Sequence, residues 1–390
     1  MKKTLIISLL LFFVLGAADA LNGMPAFARK YQMSCKTCHA PFPKLKPYGA
    51  EFAANGFALK DKDAPRYFAD TGDEKVSLLR DLPVAIRFEG YASFNNAHSQ
   101  SLDFSSPFLI KLLSGGVIAR NISYYLYFFF GEKGKVAGLE DAFLMFNEVW
   151  GDLDIYIGQF QVSDPLFKRE LRLSYEGYKI YETRPGLSGI DLTYDRGIMF
   201  TYGLKGGPDL TLEIVNGSGI GESEANPYGN FDADKYKNVL GRITQDIGNN
   251  FRIGAFGYTG KEAGPNGLVN SLWMAGVDAT LSVPKLELNL QYVERRDKNP
   301  SFLLGASEIA TRGGFAELIY LPRGDDSQWY GAGMFNWVDS DLEELKYQAV
   351  TIYGGYMLRR NFRLLAEVTY LIKGVEGKHP RFSVGMITAF

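Results

Sequence analysis

The residues that could do chemistry are few and close together: Cys35, Cys38 and His39, in the run Cys35-Lys36-Thr37-Cys38-His39. Two thiols at this spacing can each form a thioether with one vinyl group of a haem, and the adjacent imidazole then lies under the iron as proximal ligand. The same atoms admit a Cys35–Cys38 disulfide, a redox-active thiol pair of the thioredoxin kind, or a zinc site. A zinc site lacks a second ligand pair. These are the only 2 cysteines of the 390 residues, and a histidine follows them directly. Together these features favour one covalent haem c.

A methionine or a second histidine usually completes a haem iron and tunes its potential. No Met or His lies between His39 and His98. Met24 and Met33 precede the motif, and Met33 sits so near Cys35 that reaching the far haem face would strain the chain. Met24 is therefore the first candidate for the distal position and His98 the alternative. An open sixth position is the remaining option. Pro41 and Pro43 stop any helix that carries the motif. Leu45, Tyr48, Phe52 and Ala53 then recur at helical spacing, either to cover a porphyrin face or to pack the core of a small helix. A segment of about forty residues buries little core by itself, so a covalently held group would help to order it.

The rest of the chain must position this segment. Residues 1–20 read as a signal peptide: Lys2 and Lys3 precede an apolar run from Leu5 to Leu15, and Ala18-Asp19-Ala20 offers a cleavage point. The haem segment is 21–60, and 61–82 is a charged linker or short helix. No later stretch is long and apolar enough for a membrane helix. From Pro83 to Phe390 the pattern has period two. Leu286, Leu288, Leu290 and Tyr292 share one face against Glu287, Asn289 and Gln291. Phe362, Leu364, Ala366, Val368, Tyr370 and Ile372 alternate with Arg363, Glu367 and Thr369, and Trp273, Ala275, Val277, Ala279 and Leu281 oppose Asp278 and Thr280.

Alternation of this kind suits a soluble sandwich as well as a membrane barrel, but the connections discriminate. Strands fall near 84–95, 107–118, 121–131, 139–149, 152–161, 192–205, 208–217, 237–247, 250–260, 270–282, 285–296, 311–321, 328–338, 346–358, 361–373 and 381–390. Between them, short turns (150–151, 206–207, 248–249, 284, 359–360) alternate with long loops (96–106, 162–191, 218–236, 297–310, 339–345). Roughly sixteen antiparallel strands with short periplasmic turns, long outer loops and both termini in the periplasm is the pattern of an outer-membrane β-barrel. One short-side turn, 322–327, is longer than that pattern prefers. The 162–191 loop is long enough to fold into the lumen. His98 falls in the first outer loop and His379 in the last. The final strand alternates through Phe382, Val384, Met386 and Thr388 and ends on Phe390, as in chains read by the outer-membrane assembly machinery. Composition agrees, with 43 Gly, 23 Tyr and 28 Phe, and a net charge of -2 gives no electrostatic case for nucleic acid.

The run Pro25-Ala26-Phe27-Ala28-Arg29-Lys30, then Ser34 to His39, resembles a known family, and Phe42-Pro43-Lys44-Leu45, Gly49-Ala50-Glu51-Phe52 and Asn55-Gly56-Phe57 continue the match. The chain is similar over residues 24–60 to the fused monohaem cytochrome–porins of diderm bacteria, which include outer-membrane iron oxidases. Beyond that stretch the likeness is one of architecture. The resemblance implies thioethers at Cys35 and Cys38 and proximal ligation by His39.

The expected function is one-electron transfer at the outer membrane, between an external donor such as Fe(II) and periplasmic c-type cytochromes. The Fe(II)-oxidising role rests on the resemblance. A passive-diffusion porin with a haem-bearing plug or sensor is the alternative, and a subunit holding a multihaem cytochrome is a third reading. Lumen charges of both signs (Arg87, Glu89, Arg252, Glu287, Arg363, Glu367) indicate no ion selectivity. Asp339, Asp341, Glu343 and Glu344 could attract Fe(II) but read more simply as a solvated loop.

Overall fold

In the computed structural model, residues 26–31, 33–59, 68–69, 71–73, 75–80, 82–95, 102–220, 231–232, 234–264, 266–375 and 377–390 are described. The leader, Met24, His98 and part of the 61–82 linker lie outside this set.

The alternating region forms β1 (Val84–Asn95), β2 (Leu102–Ala119), β3 (Ile122–Glu132), β4 (Lys135–Trp150), β5 (Leu153–Gln161), β6 (Tyr194–Gly203), β7 (Pro208–Val215) and β8 (Asn238–Ile247). It continues with β9 (Phe251–Ala263), β10 (Val269–Val283), β11 (Leu286–Asp297), β12 (Ile309–Tyr320), β13 (Trp329–Ser340), β14 (Tyr347–Arg359), β15 (Phe362–Lys373) and β16 (His379–Ala389). Each strand pairs with its neighbours in sequence, and β1 pairs antiparallel with β16, so the 16-strand sheet closes on itself.

Closure leaves no strand edge unpaired, and the two faces of the wall then differ sharply. Trp273, Val277, Leu290, Tyr292, Ile352, Tyr370 and Val384 are exposed on the outside, while Lys111, Asp278, Asn289, Gln291, Arg363 and Glu367 are buried within. Soluble proteins do the reverse. An apolar band outside a polar interior is the distribution that a lipid-facing barrel requires.

The turn pattern holds with two differences. At one end the strands are joined by short connections such as 120–121, 151–152, 284–285 and 360–361, and at the other by long ones such as 162–193, 216–237 and 298–308. The β3–β4 connection, expected across 132–138, is only Lys133-Gly134. Likewise β2 begins at Leu102 rather than 107, and β4 at Lys135 rather than 139. These strand ends lie beyond the apolar band, so the alternation that marks the strands elsewhere is lost there although the ladder continues. In the linker, the described residues show no helix. Phe68 and Leu79 form an isolated antiparallel bridge instead.

Phe390 completes the ring. Its N–H donates to the Ile86 carbonyl at 2.9 Å, and Ile86 returns a bond to the Phe390 carbonyl at 2.7 Å. Deleting Phe390 removes both bonds and an aromatic ring from the outer band. We expect a larger fall in the heat-modifiable, folded fraction than deletion of the 298–308 loop produces, read from the mobility of unheated against heated protein.

Residues 26–59 form a small unit inside the short-turn mouth. α1 (Ala26–Tyr31) and α2 (Pro47–Ala54) flank the Cys35–His39 motif. Phe27 stacks on Phe57 at 4.9 Å, and Phe57 on Tyr125 of β3 at 5.4 Å. The Tyr31 hydroxyl donates to the Phe57 carbonyl at 2.7 Å, and Asn147 of β4 donates to the Ala54 carbonyl at 2.9 Å. Phe52 joins this aromatic cluster, so it packs a miniature core, while Tyr48 is exposed.

Candidate functional site

The motif opens with a single 3-10 turn, Cys35–Thr37, and α2 crosses directly over it. Gly49 makes that crossing close: a Cβ there would stand 2.4 Å from the Cys38 carbonyl oxygen. The same carbonyl accepts a bond from the Lys46 N–H at 2.8 Å. Sequence and geometry meet at His39. Its Nδ1 lies 2.8 Å from the Pro43 carbonyl, which can only accept, so Nδ1 carries the proton and Nε2 presents its lone pair. Burial pulls the His39 pKa below its ordinary value, against the opposing pull of the Pro43 and Lys44 backbone, and the ring is neutral. A neutral imidazole with a fixed tautomer is the form that binds a metal.

Burial pushes the Cys35 and Cys38 thiols up. A redox-active pair of the thioredoxin kind needs the opposite shift. Beside His39 is an opening lined by Phe42, Leu321, Met357, Ser327 and Arg360 among others. The opening offers apolar walls, the fixed imidazole and a cation able to pair with a carboxylate; Cys35 and Cys38 are not among its walls but lie one turn of backbone before the imidazole, and together these groups make a donor set that fits a covalent haem.

The long 322–327 turn now has a physical account. Lys46 reaches Asp325 at 2.7 Å and Lys36 reaches Asp326 at 3.2 Å, while Lys44 pairs with Glu287 at 2.7 Å. Solvent screens the two pairs at the exposed turn strongly, and Lys44–Glu287 is the better shielded of the three. A fully buried Phe contributes roughly 1.5–3 kcal/mol, so the aromatic cluster holds the unit and the ion pairs orient it. The motif is thereby pinned to β11 and the β12–β13 turn on one side and the aromatic cluster to β2–β4 on the other.

A second insertion comes from the opposite end. The 162–193 connection folds into the lumen and meets the far wall. Tyr178 stacks on Phe315 of β12 at 4.0 Å, Tyr181 donates to Gln291 at 2.8 Å, and Arg295 donates to the Ile190 carbonyl at 2.6 Å. Near its start, Glu170 lies 3.0 Å from Lys111, which also pairs with Glu140 and lies 3.6 Å from Glu132. Burial pushes Glu170 up, but Lys111, Arg87, Arg172 and Arg169 outweigh it and hold the carboxylate well below its usual range. Elsewhere in the wall, Arg242 of β8 reaches Asp278 of β10 at 2.9 Å across β9, because Gly254 between them carries no side chain.

The other singled-out residues scatter. His379 is buried at the long-loop end, at the start of β16. Asp339 pairs with Arg312, Glu343 with Lys346 and Lys373, and Asp341 accepts from the Ala310 N–H. They balance neighbouring cations instead of converging. Among the described residues, no group of three or more His, Cys, Asp and Glu is gathered as a metal site. Arg252 pairs with Asp246 at 2.6 Å in the wet mouth, and Arg87, Glu89, Arg363 and Glu367 are buried inside. Sequence reasoning missed Asp325, Asp326, Lys111 and Met357. Only the odd length of the 322–327 turn hinted at the first two.

Solved structures with this closed barrel are bacterial outer-membrane channels. The outer membrane channel DcaP of Acinetobacter baumannii aligns at a TM-score of 0.57 and 13% identity, over 80% of this chain and 97% of that one. The fold is that of a porin. An anion-selective porin from Comamonas acidovorans aligns at 0.58 and 12% identity over 80% and 99%, and Salmonella typhi OmpF at 0.55 and 13% over 79% and 97%. No family model and no curated protein matches the sequence. At these identities the likeness shows the porin fold alone. The 26–59 segment is a unit added at the barrel's short-turn mouth.

Proposed function

We propose that this protein is a monohaem cytochrome–porin of the outer membrane, passing single electrons from a donor outside the cell to periplasmic c-type cytochromes. The observation that carries the reading is His39: its Nδ1 is held by the Pro43 carbonyl, which leaves Nε2 free, directly after Cys35 and Cys38 in the chain and at the mouth that holds the short turns. In outer-membrane barrels that mouth faces the periplasm, where soluble carriers diffuse.

A haem bound there supplies an iron that cycles between ferric and ferrous states. The chain does the rest. Cys35 and Cys38 would tether the group and His39 would hold its iron, while Phe42 and Leu321 limit access of water to the opening. Lys36, Lys44 and Lys46 hold the segment where a partner can approach it. Fe(II) is the first candidate donor, by resemblance: one electron leaves external Fe(II), giving Fe(III), and reduces one ferric periplasmic cytochrome. No proton or other group is transferred. The barrel wall provides the opening through an otherwise insulating layer about 30 Å thick.

A passive channel with a haem-bearing plug is the second reading, favoured by the porin fold itself. The two insertions into the lumen count against a wide pore and against a multihaem cytochrome housed there. Proteoliposomes containing an internal periplasmic c-type cytochrome, with Fe(II) outside, separate the readings. Internal reduction that disappears in the Cys35→Ala, Cys38→Ala protein supports electron transfer. Steady solute conductance with the internal cytochrome left oxidised over hours makes the protein a channel.

A further inference from the structure

We propose that Met357, at the end of β14, is the sixth ligand of the haem iron, an inference that rests on covalent haem at Cys35 and Cys38. The opening beside His39 is lined by Phe42 and Leu321, with Met357 among its walls. Of the described methionines, Met357 alone lines it. Met145, Met199, Met274 and Met334 are buried in the apolar cluster of the lumen, Met33 packs against that cluster, and Met386 is exposed on the outer face.

Position and chemistry agree. Met357 is 6% exposed, so its thioether is withdrawn from water. A soft sulfur donor suits a haem iron and is a common partner of histidine in electron-transfer sites. The Met357 N–H donates to the Gln328 carbonyl at 2.7 Å, which ties this end of β14 to the turn that carries Asp325 and Asp326. That turn in turn pairs with Lys36, within the motif, and with Lys46, just beyond it. The imidazole and the thioether are thus referenced to one rigid piece of barrel, although Met357 lies far from the motif in sequence. Ligation from the wall also gives the long 322–327 turn a purpose: it sets the register between haem segment and barrel. With this arrangement the sixth ligand comes from the porin and the fifth from the cytochrome segment, so the iron is six-coordinate only when the segment is docked.

The test is spectroscopy of the purified full-length holoprotein in detergent. Ferric wild type should show a far-red sulfur-to-iron charge-transfer band. Met357→Leu, nearly equal in volume, should lose that band and lower the midpoint potential, while in-gel haem staining and heat-modifiable mobility stay unchanged. Met357→His should restore a six-coordinate, low-spin spectrum without the sulfur band. Met24→Leu and Met33→Leu should keep the band. A band that survives Met357→Leu, or a wild-type spectrum without it, overturns the assignment while leaving the haem reading intact. Absence of haem staining in wild type overturns both.

Discussion

Replacing both thiols, Cys35→Ala with Cys38→Ala, should abolish covalent haem completely, and in-gel peroxidase staining of the denatured protein reads this directly. Each thioether is an independent covalent bond, so only removal of both frees the group under denaturing conditions. The barrel should survive. Its 16-strand closure involves neither cysteine, and the aromatic contacts of Phe27, Phe52 and Phe57 remain. Persistent staining in the double variant would end the haem reading. His39→Ala should act differently. Haem stays attached, but the proximal nitrogen is lost and the iron spectrum shifts, because Nε2 is the atom left free once Nδ1 is bound to Pro43.

Lys111→Ala should be the most destabilising single change in the lumen. Lys111 is fully buried and is the cation shared by Glu132, Glu140 and Glu170. Removing one partner of a buried ion pair leaves uncompensated charge and costs on the order of 3–5 kcal/mol. The temperature at which heat-modifiable mobility is lost should fall accordingly. Lys111→Met with Glu140→Gln should recover part of the loss, since both the charge and one of its partners are then gone. A single variant as stable as wild type would show that this network carries no net stability. Its pH dependence has a definite sign. Glu170 is held below the usual carboxylate range in the folded chain, so its contribution is fully present above the unfolded carboxylate pKa of about 4.3. It is lost as pH falls from there through the lower folded value. Acid should therefore loosen the 162–193 insertion, and Glu170→Gln should flatten that part of the profile.

How far the sequence reaches depends on how local each signal is. The barrel was legible because side-chain alternation is a property of neighbouring residues: Leu290 and Tyr292 turn out while Asn289 and Gln291 turn in whatever the rest of the chain does. The motif was legible for the same reason, since Cys35, Cys38 and His39 are within one turn of backbone. Boundaries failed where that signal stops, at Leu102 and Lys135, because beyond the apolar band no solvent difference enforces alternation. The tertiary structure alone decided which strands the 26–59 segment meets, that Asp325 and Asp326 receive its lysines, and that Tyr178 and Tyr181 reach Phe315 and Gln291 across the lumen. It alone set Met357 and His39 in the walls of one opening. Such pairs are far apart in the chain and share no periodicity. They form only when sixteen strands close and fix which side chains face one another across the interior.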